Sequence, residues 1–125
     1  MIFKENNKAI FLQIADRICD DILTLTLKPE ERIASVRAYA ASIEVNANTV
    51  MRAYEYLASR GIVYNKRGIG FFVAKDAPQT VAALRKTEFV ESELQEVFKQ
   101  LEILGISPEA LKNMYSNYLN NKDNK

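Results

Sequence analysis

Histidine and tryptophan are absent from this 125-residue sequence, and cysteine occurs once, as Cys19. Without histidine there is no imidazole base near neutral pH, and neither a Ser-His nor a Cys-His nucleophilic pair can be assembled. The same absence removes the usual Cys/His metal clusters, and one thiol cannot close a disulfide within the chain. The four glycines and the carboxylates and lysines are not grouped into a phosphate-cradling loop or a catalytic constellation. No apolar run approaches the ~18 residues of a membrane span. Met1-Ile2-Phe3-Lys4-Glu5-Asn6 lacks the charged-then-apolar build of a secretory signal. The expectation is a cytoplasmic protein with no catalytic site, no metal, no cofactor and no membrane partner.

What is present is core material and an uneven charge. Apolar residues make up 48% of the chain, and this length predicts one domain, or one small domain with an appendage. Cores of that size are commonly supplemented by dimerisation. The net charge of +1 hides an asymmetry: residues 32–75 carry a net +5, residues 76–125 a net −2. A local basic stretch in a near-neutral chain suits a polyanion-binding face.

Apolar spacing sets the elements. Ile10, Ile14, Ile18, Ile22 and Leu25, with Phe11 and Ala15 widening the stripe, predict an amphipathic helix over 10–25. Ser35 caps a second, short helix whose inner face is Val36, Tyr39, Ala40 and Ile43. After a turn at Glu44-Val45, Asn46 caps a third helix running to Arg60, with Gly61 as its terminator. The period then changes, with strands at 62–65 and 71–74 around a turn at 66–70. Two helices joined by a short turn, followed by a basic-tipped hairpin, have the layout of a winged helix-turn-helix. Beyond Pro78 the chain becomes helical again. Val90, Leu94, Val97, Leu101 and Leu104 form a heptad-like seam that stops at Gly105, and Ser107-Pro108 opens a last helix bearing Leu111, Met114, Tyr115, Tyr118 and Leu119 on one face. The tail from Asn120 is polar and expected to fray. The fold class is thus mainly α (α+β): a winged helix-turn-helix over 1–75 and a two-helix region over 76–125.

On the third helix Val50, Ala53, Tyr54 and Leu57 share a buried stripe. Asn48, Arg52, Glu55 and Ser59 face outward, with Met51 at the margin. In this motif the N-terminal end of that helix enters the major groove, where asparagine pairs with adenine and arginine with guanine or a phosphate. Asn46 has two readings, cap and base contact. Arg37, early in the second helix, reaches a phosphate or pairs with Glu44. Lys66 and Arg67 place two cations at the hairpin tip, beside Gly68.

These residues resemble the GntR family of bacterial regulators over about 10–73. The matching pieces are Ile10-Phe11-Leu12-Gln13-Ile14, Leu27 to Arg37 around Pro29 and Ser35, Val45-Asn46-Ala47-Asn48-Thr49-Val50, Gly61-Ile62-Val63, and Gly68-Ile69-Gly70-Phe71-Phe72-Val73. The resemblance implies DNA contacts from Arg37, from Asn46, Ala47, Asn48 and Thr49, and from Arg67 and Gly68. The helical wheel adds Arg52, and the basic tip adds Lys66. Three positions depart from the family pattern: Glu30 replaces a usual glycine, Ala34 a usual proline, and Ala47 a frequent arginine. Ala47 removes a base-reading cation and suits a thymine methyl instead.

Only about fifty residues follow the wing, too few for a large metabolite-binding domain, which is similar to the YtrA-type subfamily with its short dimerisation tail. Val90, Leu94, Val97, Phe98, Leu101, Leu104, Leu111, Met114, Tyr115 and Tyr118 are the candidate homodimer interface. Phe89, Phe98, Tyr115 and Tyr118 also leave open a pocket for an unidentified small-molecule effector. The functional expectation is a homodimeric repressor that binds an inverted-repeat operator in double-stranded DNA. The alternative is a winged-helix protein–protein adaptor.

Overall fold

The structure is a computed structural model that describes residues 8–123. The N-terminal segment read above for a secretory signal lies outside the described residues, as do Asn124 and Lys125. The chain divides into two compact units, one ending at Leu84 and the other beginning at Arg85.

The first unit is built on three helices, α1 (Ile10–Leu23), α2 (Val36–Ile43) and α3 (Ala47–Ser59). Along α1, Ile14, Ala15, Ile18, Cys19 and Ile22 are buried, as the 3.6-residue period requires. The ends of the expected stripe differ: Ile10 and Leu25 are exposed. The helix closes at Leu23, and Leu25 takes a positive φ of 61°, which turns its side chain off the helical stripe. Ser35 Oγ accepts the Ala38 N–H at 3.1 Å and starts α2. Glu44 closes α2 in the left-handed conformation, and Val45 N–H returns to the Ala40 carbonyl at 3.0 Å. That tight reversal sets α3 across α1 and α2, where Val50, Ala53, Tyr54 and Leu57 are wholly buried.

The wing is an antiparallel pair, β1 (Val63–Lys66) and β2 (Gly70–Val73), with Val63 paired to Val73 and Lys66 to Gly70. Each strand is displaced by one residue from its expected place, so Lys66 ends β1 and the tip is Arg67-Gly68-Ile69. The far edge of β2 is also occupied. Glu30 N–H bonds to the Val73 carbonyl (2.8 Å), Val73 N–H to Glu31 (2.9 Å) and Ile33 N–H to Phe71 (2.9 Å), with Arg32 bridged to Phe72. The link between α1 and α2 therefore acts as a third strand. Strand alternation turns Ile33, Val63 and Val73 into the core. Glu30, standing where the resembled family has glycine, does adopt a glycine-like φ of 69°. A non-glycine residue there costs about 1–2 kcal/mol.

α4 (Ala77–Glu88) runs across the unit boundary. Ala77 and Val81 are fully buried in the first unit's core and Leu84 packs on it. The two compact units divide at 84/85, within α4, whereas the sequence divides the chain at 75/76, where the wing ends.

The second unit continues through a π-helical turn (Phe89–Glu93) into α5 (Leu94–Ile103) and then α6 (Pro108–Asp123), whose first turn is capped by Ser107 Oγ at 3.1 Å. A π turn, with i→i+5 bonding, therefore lies between Val90 and Leu94, where the heptad-like seam assumes an unbroken α-helix. The polar tail expected to fray from Asn120 is helical as far as Asp123.

Truncation after Asp76 removes Ala77, Val81 and Leu84 from the first unit's core, whereas truncation after Glu88 keeps them. The shorter fragment should be less stable by roughly 2–4 kcal/mol, measured by urea unfolding; equal midpoints would show that α4 adds nothing to that core.

Candidate nucleic-acid interface

α3 divides its residues sharply. Its buried face anchors it, and Asn48, Met51, Arg52, Glu55 and Ser59 are exposed. Of the two readings of Asn46, the geometry supports the cap: its Oδ1 accepts the Asn48 N–H at 2.8 Å, and its carbonyl accepts from Thr49 and Val50. Asn46, Ala47 and Asn48 are exposed at the helix start, while Thr49 is half-buried. Two short polar side chains and one methyl thus crown an uncovered helix N-terminus, a place suited to base edges or a phosphate oxygen.

Arg52 is exposed, but its guanidinium lies 4.2 Å from the centre of the Phe11 ring on α1. Phe11 meets Tyr56 edge-on at 6.3 Å, and Arg60 covers Tyr56 at 5.2 Å. A wheel drawn on α3 alone does not show this ladder. Stacking occupies the guanidinium face and leaves its N–H edges free to donate.

Arg37 stands exposed in the first turn of α2. Among the described residues no ion pair joins it to Glu44, which leaves its charge for an external anion. At the wing tip Arg67 and Gly68 are exposed, and Gly68 takes φ +80°, a turn conformation that side chains disfavour. Lys66 lies just below the tip with its ammonium 5.0 Å over the Phe72 ring. In the sequence Arg32 is only one more charge of the basic stretch; the pairing of residues 30–33 with β2 is what brings it to the wing.

The recognition helix and wing are locked together through Tyr54. Its hydroxyl donates to the Ala34 carbonyl at 2.7 Å, and its ring meets Tyr39 of α2 and Phe71 of β2 edge-on at 6.1 and 5.2 Å. Burial, followed by the influence of Tyr39, raises its phenol far above the ordinary value, so the group remains a donor.

In the second unit, Leu94, Leu101 and Leu111 are half-buried against their own neighbours. Val90, Val97, Phe98, Leu104, Met114, Tyr115 and Tyr118 stay exposed. A groove of about 510 Å³ is lined by Phe89, Leu94, Val97, Phe98, Leu111 and Tyr115 among others. Ile103 is the most open large apolar side chain of this unit, at 75% exposure. It falls outside the seam, so apolar spacing alone does not select it.

These features define a winged helix-turn-helix of the kind used by transcription regulators. Residues 11–73 match the model of the gntR family of bacterial regulatory proteins. The chain is 36% identical over 107 residues to the HTH-type transcriptional regulator YhcF of Bacillus subtilis, covering 86% of this chain and 87% of that protein. It is 29% identical over 102 residues to the HTH-type transcriptional repressor YtrA of the same organism, covering 82% and 78%. A crystal structure of a GntR-family regulator from Bacteroides thetaiotaomicron superimposes with a TM-score of 0.80 at 53% identity, covering 91% of this chain and 99% of that one. The chain belongs to the GntR family, is similar to YtrA-type regulators, and is a transcription regulator, not an enzyme.

The two asparagines at the start of α3 should separate on mutation. Asn46→Ala should lower stability by about 1 kcal/mol, whereas Asn48→Ala should leave the melting temperature near that of the parent and relax discrimination at one base pair per half-site. Thermal melting beside binding to an operator-variant library checks both. A loss of affinity for Asn48→Ala that is uniform over all variants would assign it to a phosphate.

Proposed function

We propose that this regulator is a homodimeric repressor that grips an inverted-repeat operator with two copies of the winged unit. The observation that carries the reading is the polarity of α3. Its inner stripe is fully buried, while Asn48, Arg52, Glu55 and Ser59, together with the helix start, are open to solvent. In the proposed arrangement Ala47 and Asn48 face base edges and Asn46 caps the helix beside them. Thr49 supports that turn, and Arg37, Arg52, Lys66, Arg67 and the backbone at Gly68 meet phosphates or the groove next to the wing. The resemblance to the YtrA repressor supports the sense of regulation.

Dimerisation is supported by the second unit. Seven of the ten residues selected for the interface are solvent-exposed, a large apolar surface for two short helices to leave in water. A two-fold partner buries the same patch on both chains and sets the two α3 helices about one turn of DNA apart, or a multiple of it. The groove beside Phe98 and Tyr115 is where an effector would meet that interface. Among the described residues no helix is long and apolar enough to cross a membrane.

Full-length protein should sediment as a dimer at micromolar concentration and select genomic fragments with an affinity that falls steeply with salt. Arg37→Ala and Arg67→Ala should each weaken binding across all sequences and flatten the log–log salt dependence by about 0.9 for each phosphate no longer neutralised. A monomer would overturn the dimer assignment, and unchanged slopes would remove these two arginines from the phosphate contacts. Absence of salt-dependent DNA binding would favour the adaptor role.

A further inference from the structure

The outer face of the wing carries a cation that the helix-turn-helix layout does not account for. In an antiparallel sheet directly paired residues share a face. Arg32 pairs with Phe72, Tyr64 with Phe72 and Lys66 with Gly70, so these five positions lie on one side, opposite the buried Ile33, Val63 and Val73. Tyr64 and Phe72 stack there at 5.7 Å with 18° between their planes, and the Lys66 ammonium covers Phe72.

Gly70 occupies the same face without a side chain. A Cβ built on it would stand 3.1 Å from Arg32 Nε and 3.3 Å from Arg32 Nη2. The Arg32 guanidinium therefore lies directly over the Gly70 backbone, on the strand whose other neighbour at that level carries Lys66. Gly70 is also at φ +144°, where other residues are strained, so the opening is doubly reserved for glycine. Among the described residues the guanidinium makes no ion pair or hydrogen bond, although its main chain is fixed by the bridge to β2. Of the two preceding carboxylates in the strand, Glu31 accepts the Lys28 N–H at 3.1 Å, and Glu30 lies beside Val73, where Tyr64 Oη approaches its Oε2 at 3.5 Å. The arrangement is a positioned guanidinium without an ion pair on a sheet face, with a second cation across the strand.

We propose that Arg32, seated across the wing at Gly70, is an additional DNA-backbone contact: with Lys66 it brackets one phosphate on the outer face of the wing and sets the angle at which the tip enters the groove. This rests on the DNA-binding reading above. Arginine suits the position because its planar fork offers two parallel N–H donors to phosphate oxygens while its other edge lies against the backbone of Gly70.

The test uses full-length protein, a selected operator duplex, and duplexes in which single phosphates are replaced one at a time by neutral methylphosphonates. Arg32→Ala should weaken binding roughly tenfold or more while melting close to the parent, since the side chain is exposed. Arg32→Lys should restore part of the affinity, because it keeps the charge and loses the fork. Neutralising one particular phosphate in each half-site should weaken the parent markedly and Arg32→Ala clearly less, the remaining loss being the Lys66 contact. Parent-like binding by Arg32→Ala, or a variant that loses as much affinity as the parent at every neutralised phosphate, would overturn the assignment. Failure of the parent itself to bind any selected duplex would overturn the DNA reading and this contact with it.

Discussion

Tyr54 is the constraint on which the winged unit depends. It is fully buried on α3, yet its hydroxyl reaches the Ala34 carbonyl in the segment that runs beside the wing, and its ring is wedged between Tyr39 of α2 and Phe71 of β2. One side chain thus joins the recognition helix, the helix before it, the third strand and the hairpin. A buried phenol without a partner would cost more than its hydrogen bond contributes, so the position of Ala34 is coupled to the depth at which α3 sits. DNA binding by this motif needs a helix and a wing held at a fixed mutual angle, and Tyr54 is the packing element common to both.

The helices are legible in the sequence because their information is local. The spacing of Val50, Ala53, Tyr54 and Leu57 identifies the inner side of α3 without knowledge of what covers it, and Ser35 and Asn46 mark helix starts through bonds to N–H groups two or three residues away. The wing strands lie one residue from their expected places because the run from Ile62 to Val73 contains no internal marker of register. Pairing decides it, including the pairing of residues 30–33 with β2. Periodicity gives Arg52 an outward face but hides its stacking partner, Phe11, which is on another helix and distant in sequence. The place of Arg32 is hidden for the same reason, its neighbour Gly70 being remote in sequence order.

The boundary between units shows the same limit in another form. The wing ends before residue 76 and Pro78 follows closely, yet proline is well accommodated in the first turn of a helix, and Ala77 and Val81 face the core four residues apart. Likewise a spacing of four between Val90 and Leu94 reads as one unbroken seam, whereas the backbone makes a π turn there. Such turns recur at functional sites. Here the turn places Phe89 and Val90 on the surface, with Phe89 lining the apolar groove of the second unit.

In the proposed assembly two copies of one rigid winged unit read two copies of one DNA sequence. Hydroxyl-radical footprinting of the full-length protein on a genomic fragment it selects addresses this claim most directly. Two equal protected stretches related by a dyad, with centres about one helical turn or a multiple apart, are the predicted result. A single unpaired stretch, or protection with no fixed relation between its parts, would contradict it.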